Sequence, residues 1–329
     1  MNIEFHYHLT YIIALLAGYR PDQAYTVAYS SQYVDDNVSL ITVEQKDGSS
    51  YFSCPTQVYC PWYSAGFTHT VYPVYHFLPG DVKQSSRMRR DRKRHPMLVT
   101  PNSKLAQKLM KWALSSDDLY TIGIASHAFV DTWAHQNFAG TQDSINSMND
   151  NWLSVLTPNI GHADALEKPD LISNHWVDSR LKVSMISNPH RFSKAAKALL
   201  KCYATNLGIH SGKMIGKRAK FIEKWVLEVA SFSKRFAPSL QSSYDLQLQY
   251  RMNMYQHLAL KISNALVPEY NSQQWAEQAI RKKYRYYPLS QIIWRHANYA
   301  KSNWYAFQQA AKSTKRFVLH HIEVKQQVN

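Results

Sequence analysis

The chain has 329 residues and a formal net charge of +15, with 45% hydrophobic and 19% charged residues. This composition excludes a disordered polyelectrolyte and is sufficient for a sizeable hydrophobic core. Only 10 glycines are present, which disfavours a turn-rich β-barrel or a glycine-loop nucleotide fold and favours long helices.

Neither a signal peptide nor a transmembrane helix is predicted. The apolar stretch at residues 11–19 has about half of the ~20 residues that a membrane-spanning helix needs, and no basic segment precedes it. The three cysteines, Cys54, Cys60 and Cys202, form no CxxC pair, which predicts no disulfide framework and indicates a reducing compartment. We therefore expect a cytoplasmic protein, with signal-independent secretion as an alternative.

The first hundred residues predict two helices, a hairpin and a long loop. The first helix ends at Gly18, and Pro21 begins the second. Alternating residues at 38–53 predict a short β-hairpin. Residues 54–101 hold six of the 13 prolines and predict a long irregular segment, which its aromatic residues keep ordered.

The rest of the chain is predicted to be helical. Ser103 is a plausible N-cap for a helix that ends near residue 114, and residues 117–138 predict a buried helix. Four further segments have a helical period: residues 195–207, 221–236, 246–266 and 292–311. The polar tail after Phe317 is expected to fray. The fold class is therefore predicted to be all-α, with one short β-hairpin and a long irregular loop.

The most informative motif lies on the predicted buried helix. His127, Asp131 and His135 are spaced four residues apart, so they project to a similar side and span ~12 Å. One metal ion cannot bind all three, but Asp131 can bridge two ions through its two oxygens. The alternative is a structural His–Asp hydrogen-bond network, because buried ionisable groups need partners.

Other histidines and acids are weak candidates alone but form a coherent set together. They supply nitrogen and oxygen ligands without thiolates, which suits zinc, iron or manganese. The set consists of His6 and His8 near the chain start, Asp35 and Asp36 after the second helix, His76 among aromatic residues, and His162 with Asp164, Glu167 and Asp170.

The order of these motifs resembles the zinc-dependent phospholipase C and single-strand nuclease superfamily. The stretches FHYHLTYIIALLAGY, AYSSQYVDD, HFLPG, ASHAFVDTWAHQNFAG, IGHADALEKPD and NPHRFSKAA are more closely similar to an uncharacterised bacterial family of unknown function related to that superfamily. The resemblance is close over about residues 1–200 and general beyond them. It implies a single helical domain over residues 1–329, with the metal site in 1–200 and additional helices in 201–329.

The resemblance also implies a cluster of two or three zinc ions and its ligands. Secreted superfamily members use a freed N-terminal amine as a further ligand, but no signal peptide is evident here, so the resemblance does not assign that role to Met1. His8 is a less favoured ligand than His6, and the acid beside His162 stays open among three candidates. The implied ligands are His6, Asp35 or Asp36, His76, His127, Asp131, His135 and His162.

The function predicted on this basis is metal-dependent hydrolysis of phosphoester bonds in a phospholipid, a nucleic acid or a nucleotide diester. Two ions ~3.5–4 Å apart lower the pKa of a water toward ~7 and neutralise phosphoryl oxygens. Asp131 and Asp36 are the carboxylates expected to assist this chemistry. The alternative is a non-enzymatic metal-binding or scaffold protein that retains the fold, with a closed coordination sphere.

Charge is unevenly distributed along the chain. Residues 1–82 carry a formal net charge of −5 and the remaining residues one of +20. The densest basic run is Lys83–His95. This run is either a solvated loop or an anion-attracting rim, in which Arg87, Arg89 and Arg90 draw in a phosphate-bearing substrate or an anionic membrane surface. It contains no aromatic residues, which disfavours a stacking platform for single-stranded nucleic acid.

Overall fold

A computed structural model describes most of the chain and shows a mainly helical protein. The described residues form eleven α-helices with short strands and turns, which confirms the predicted fold class. These residues are 1–45, 47–58, 65–148, 159–209, 211–236, 244–285, 292–296 and 298–327.

The N-terminal helices follow the sequence prediction closely. A π-helical segment, Glu4–Leu9, continues directly as helix α1, Thr10–Ala17. Gly18 ends α1 with a φ of 114°, a left-handed conformation that glycine adopts at little cost. Helix α2, Pro21–Asp36, then begins at the predicted proline. π-helical turns are rare overall, but those that occur are often found at functional sites. This one carries His6.

The next segment contains the predicted hairpin and two helices that the sequence analysis missed. Strands β1, Ile41–Glu44, and β2, Ser50–Phe52, pair antiparallel, so the hairpin is confirmed. Helices α3, Ala65–Tyr75, and α4, Val82–Met88, lie in the segment predicted to be irregular. The number of prolines in this segment favoured an irregular structure, but α3 accommodates Pro73 within its length.

Two helices at the centre of the chain hold the main motif. The side chain of Ser103 accepts a hydrogen bond from the amide of Ala106 and caps helix α5, Lys104–Ser115, as predicted. Helix α6, Leu119–Ala134, is shorter than the predicted buried helix and is capped by Asp118. His135 is therefore the C-cap of α6 and lies just beyond its last helical residue.

The C-terminal half adds a second hairpin, five helices and two more strands. In chain order these are β3, His175–Val177; β4, Met185–Ser187; α7, Asn188–Asn206; α8, Gly212–Phe236; α9, Tyr244–Ser263; α10, Gln274–Ala279; β5, Ile280–Arg285; β6, Ile292–His296; and α11, Asn303–Gln327. Strand β1 pairs in parallel with β6, so the first sheet has the order β2-β1-β6-β5.

Two C-terminal predictions were wrong. Residues 292–296 form strand β6 instead of the start of a helix, because a short apolar run does not distinguish the two periods. The tail after Phe317 continues helix α11, since Val318 and Ile322 are buried in the core.

One hydrophobic cluster connects the N-terminal and C-terminal parts of the chain. It includes side chains from Met1 to Ile322. In this cluster Tyr29 of α2 stacks on Trp275 of α10, with ring centroids 3.9 Å apart. Among the helices that the structure describes, none combines the length and the apolar character needed to cross a bilayer.

Helices α2 and α6 approach closely at Gly123. A Cβ atom at this position would lie 2.4 Å from the Ser30 Cβ and 2.5 Å from the Val27 carbonyl oxygen. We therefore expect Gly123→Ala to lower the free energy of unfolding by about 1–3 kcal/mol, because a packed backbone must shift. Urea denaturation measures this change.

The matched control is Gly216→Ala in helix α8, where nothing lies within 4 Å of an added Cβ. This control is expected to raise the unfolding free energy by up to about 1 kcal/mol, because alanine is the better helix former. Equal effects of the two substitutions would contradict the close packing of α2 on α6.

Candidate metal centre

Side chains from five parts of the chain converge beside helix α6. They come from the π-helical segment, the end of α2, the residue after α3, α6 with its C-cap, and the loop before β3. Their ligand atoms form three groups, in each of which all atoms lie within 4.8 Å of one another. The groups are His6 with His127 and Asp131, Asp35 with His76 and His127, and His135 with His162 and Asp170.

The first group is fully buried. The His6 Nε2 lies 3.2 Å from Asp131 Oδ1, and the His127 Nε2 lies 3.3 Å from Asp131 Oδ2. The His6 and His127 rings stack with centroids 3.7 Å apart. Asp131 thus directs one oxygen at each of these two histidines.

The second group joins the ends of α2 and α3 to α6. The Asp35 Oδ1 lies 3.7 Å from His76 Nδ1 and 3.6 Å from His127 Nε2. The His127 Nε2 and the His76 Nδ1 are themselves 3.1 Å apart. The three ligand atoms therefore surround one position that faces Asp131.

The third group identifies the acid that the sequence analysis left open. The Asp170 carboxylate lies 3.0 Å from His135 Nε2 and 3.2 Å from His162 Nε2. Asp164 is instead engaged by the Met148 amide and the Asn159 side chain. Of the three candidate acids, Asp170 is the one in a ligand group.

Backbone carbonyls fix the orientation of three imidazoles. His76 Nε2 lies 2.8 Å from the Thr56 oxygen, His127 Nδ1 2.8 Å from the Ser31 oxygen, and His135 Nδ1 2.9 Å from the His76 oxygen. A carbonyl only accepts hydrogen bonds, so each of these nitrogens carries the proton. The opposite nitrogen of each ring therefore presents a lone pair to the cluster.

This arrangement leaves polar atoms facing one another without hydrogens. The His127 Nε2 and His76 Nδ1 nitrogens, each with a lone pair, are 3.1 Å apart. Asp131 Oδ2 and both ring nitrogens of His6 are buried and make no hydrogen bond within the described part of the chain. Each such atom costs about 1–3 kcal/mol in a protein interior. Cations between these atoms would remove the cost, so the donor set fits metal ions.

The electrostatics favour the neutral form of three histidines and the ionised form of the central acid. Burial lowers the pKa of His6 to about 4 and lowers the pKa values of His127 and His135. Burial opposes ionisation of Asp131, but the Met1 ammonium and the neighbouring imidazoles hold its pKa well below the usual value. Neutral imidazole and ionised carboxylate are the forms that bind metals.

The amine of Met1 also lies in the cluster, which the sequence analysis did not assign. Its nitrogen is 2.5 Å from Asp131 Oδ1 and 3.1 Å from Asp170 Oδ1. Burial lowers the pKa of this amine, but the two carboxylates raise it to about 11. The sequence analysis set this position aside because no signal peptide was evident.

Two further candidate residues, Asp36 and His8, lie outside the cluster. The Asp36 carboxylate accepts hydrogen bonds from the Tyr270 hydroxyl at 2.6 Å and from Gln32 Nε2 at 3.0 Å. Asp36 therefore does not join Asp131 as a carboxylate of the site, because consecutive helical side chains project about 100° apart. His8 packs on the Tyr255 ring, with centroids 5.7 Å apart.

The cluster forms one wall of a cavity of about 470 Å³. Asp35, Asp131, His135 and His162 line this cavity, so ligand groups are reachable from it. The described lining includes none of the arginines from the basic run; Arg89 is instead buried in an ion pair with Asp91. The predicted delivery of phosphate to this cavity by those arginines therefore receives no support.

The adjacent acids Asp35 and Asp36 provide a matched test of the second group. We expect Asp35→Asn to weaken the binding of one metal ion by at least about 10-fold, because a carboxylate ligand is lost. Asp36→Asn should retain the wild-type affinity, since its partners are Tyr270 and Gln32. Competition with a chromogenic chelator measures both affinities, and equal losses would contradict the assignment.

Comparison with known proteins gives a family without a known activity. A family model described as "Family of unknown function (DUF6765)" matches residues 1–322. No curated protein and no solved structure matches the chain. The match extends through the C-terminal helices, beyond the segment of about 200 residues over which the sequence resemblance was close.

Proposed function

Since the chain belongs to the DUF6765 family, whose function is not known, we propose an activity from the site itself: metal-dependent hydrolysis of phosphoester bonds. The observation that carries this proposal is the set of three histidine and aspartate groups beside an open cavity. A site that only stabilises a fold has a closed coordination sphere, whereas a hydrolytic site needs an open position.

The residues present fit two or three ions, with zinc as the favoured metal and iron or manganese as alternatives. His6, His127 and Asp131 would hold one ion, while Asp35 and His76 would hold a neighbouring one. His127 belongs to both groups, but its Nε2 can bind only one ion at a time. The remaining group, His135, His162 and Asp170, would hold a third ion.

Bound ions would acidify a water molecule and neutralise the charge of a phosphoryl group. The residues of the chain would position the water and exclude others from the site. Asp35, whose side chain is 25% exposed, faces the cavity and can accept a hydrogen bond from an attacking water. Tyr72 and Phe77 contribute apolar wall that excludes other water from the reacting atoms.

The resemblance to the zinc-dependent phospholipase C and nuclease superfamily favours a phosphodiester as the substrate. The order of the ligand motifs along the chain and the mainly helical fold are both consistent with it. A non-enzymatic metal-binding protein is the alternative. The cavity beside Asp35 and Asp131 favours the enzyme, because it gives a substrate access to both carboxylates.

Hydrolysis of bis(p-nitrophenyl) phosphate by the purified protein tests the proposal. We expect release of nitrophenolate that stops when EDTA removes the ions and returns when zinc or manganese is added. The monoester p-nitrophenyl phosphate should react more slowly. A protein that contains its metal and hydrolyses neither compound would contradict the enzymatic proposal and favour the metal-binding alternative.

A further inference from the structure

A second cavity, of about 700 Å³, lies near the C-terminal end of helix α6. Trp133 and Gln136 line it, whereas Asp131 and His135 line the cavity of the metal centre. The end of α6 therefore contributes to two separate cavities. We call the second one the basic cleft; its other walls are the end of α4, the β3–β4 hairpin and the start of α7.

The charged residues that line the basic cleft are all cationic. Its described lining includes no aspartate or glutamate. His190 and the start of helix α7 add a titratable imidazole and the positive end of a helix dipole to the same wall. The four cations are Arg87, Lys182, Arg191 and Lys194.

Arg191 is the central observation because it is a buried cation without an acidic partner. It is only 8% exposed, and its guanidinium donates a hydrogen bond to the Ala134 carbonyl oxygen at 3.0 Å. No carboxylate among the described residues forms an ion pair with it, since the nearby Asp178 is paired with Arg180 at 2.8 Å. Buried charges are ordinarily paired.

Two hydrogen bonds hold part of the basic run against the β3–β4 hairpin. The Lys182 amide donates to the Met88 carbonyl oxygen at 2.9 Å, and Arg90 Nε donates to the Leu181 carbonyl oxygen at 2.8 Å. These bonds place Arg87 and Lys182 on one wall of the cleft. The start of the basic run, which the sequence left open as a solvated loop or an anion-attracting rim, thus forms part of a cavity wall.

The cleft also has a large apolar surface. Trp133, Leu181 and Ile186 line its buried part, while Val183 and Met185 are 77% and 62% exposed at its edge. Cations beside an apolar wall are complementary to an anion that carries a hydrocarbon group. Arginine and lysine together are the usual partners of phosphate oxygens.

We propose that the basic cleft binds the phosphate group of a phosphate-bearing ligand, with Arg191 and Lys194 contacting the phosphate and the apolar wall contacting any attached chain. This site is separate from the metal centre and does not depend on the proposed hydrolase activity. The phosphate comes either from a free anion or from a lipid headgroup.

Lysine footprinting tests this proposal without interference from phosphate bound at the metal centre. The intact protein is acetylated with a limiting amine-reactive ester at constant ionic strength, and mass spectrometry gives the rate at each lysine. We expect inorganic phosphate to slow acetylation of Lys182 and Lys194 at least 5-fold. Lys201, which is exposed further along the same helix, is the control and should react at an unchanged rate.

Dihexanoyl phosphatidate, used below its micellar concentration, distinguishes the two sources. Protection at a concentration at least 10-fold lower than that of inorganic phosphate supports a lipid ligand, and protection at a similar concentration supports a free phosphate. In Arg191→Gln, or in Arg87→Gln if the first variant does not fold, protection of Lys194 should be lost. Rates at Lys182 and Lys194 that neither probe changes would overturn the proposal.

Discussion

If the proposed metal-dependent activity is right, Asp131→Asn is expected to lower metal binding and to reduce phosphodiester hydrolysis by more than about 100-fold. This exceeds the roughly 10–100-fold loss that is usual when a residue that only supports a ligand is removed. Asp131 is the common partner of the cluster: its Oδ1 faces His6 and its Oδ2 faces His127. An amide of the same shape lacks the negative charge that balances two cations. Elemental analysis of the purified variant and its initial hydrolysis rate measure the two effects.

The matched control is Asp164→Asn, which removes a nearby carboxylate outside the ligand groups. Asp164 accepts hydrogen bonds from the Met148 amide and the Asn159 side chain. Its replacement should leave the metal content unchanged, because no ligand is lost. A full metal complement in Asp131→Asn would contradict the role of Asp131 as a metal ligand, whatever the activity of the variant.

Arg251→Met is expected to lower the free energy of unfolding by about 3–5 kcal/mol, the usual cost of breaking a buried ion pair on one side. Arg251 Nε in helix α9 donates to Glu4 Oε1 at 2.7 Å, and both side chains are at most 1% exposed. The Tyr255 hydroxyl also donates to this carboxylate, at 3.0 Å. Glu4 begins the π-helical segment that carries His6, so the pair anchors the candidate metal centre to the C-terminal helices.

Urea denaturation in the presence of EDTA measures this loss without a contribution from metal binding. The double variant Glu4→Gln/Arg251→Met should recover most of the stability, because it leaves no unpaired buried charge. Lys224→Met is the control, since Lys224 and Glu228 form an exposed pair at 3.7 Å that contributes less than about 1 kcal/mol. A similar loss in both single variants would show that the buried pair has no special role.

The local features of the fold were predictable because they depend on neighbouring residues. Gly18 ends a helix, Pro21 begins one and Ser103 caps one, each by a local backbone or side-chain preference. Strand β6 was not predictable in this way. It is defined by pairing with β1, about 250 residues earlier in the chain, and its apolar run is too short to indicate a period.

The same distinction holds for the candidate metal centre. The spacing of His127 and Asp131 on one helix indicated that both face the same side, which local geometry determines. The choice between Asp35 and Asp36 depended on Tyr270, a residue distant in sequence that engages Asp36. Likewise the third group could be completed only when the loop position of Asp170 relative to His162 was known.

Anomalous diffraction from a crystal grown with excess zinc is the most direct test of the metal centre. Data collected at the zinc edge should give a peak within about 2.0–2.2 Å of ligand atoms in each occupied group, the usual length of zinc bonds to nitrogen and oxygen. We expect peaks at the His6–His127–Asp131 group and at the His135–His162–Asp170 group at least. A zinc-replete crystal with no anomalous peak among these residues would contradict the account.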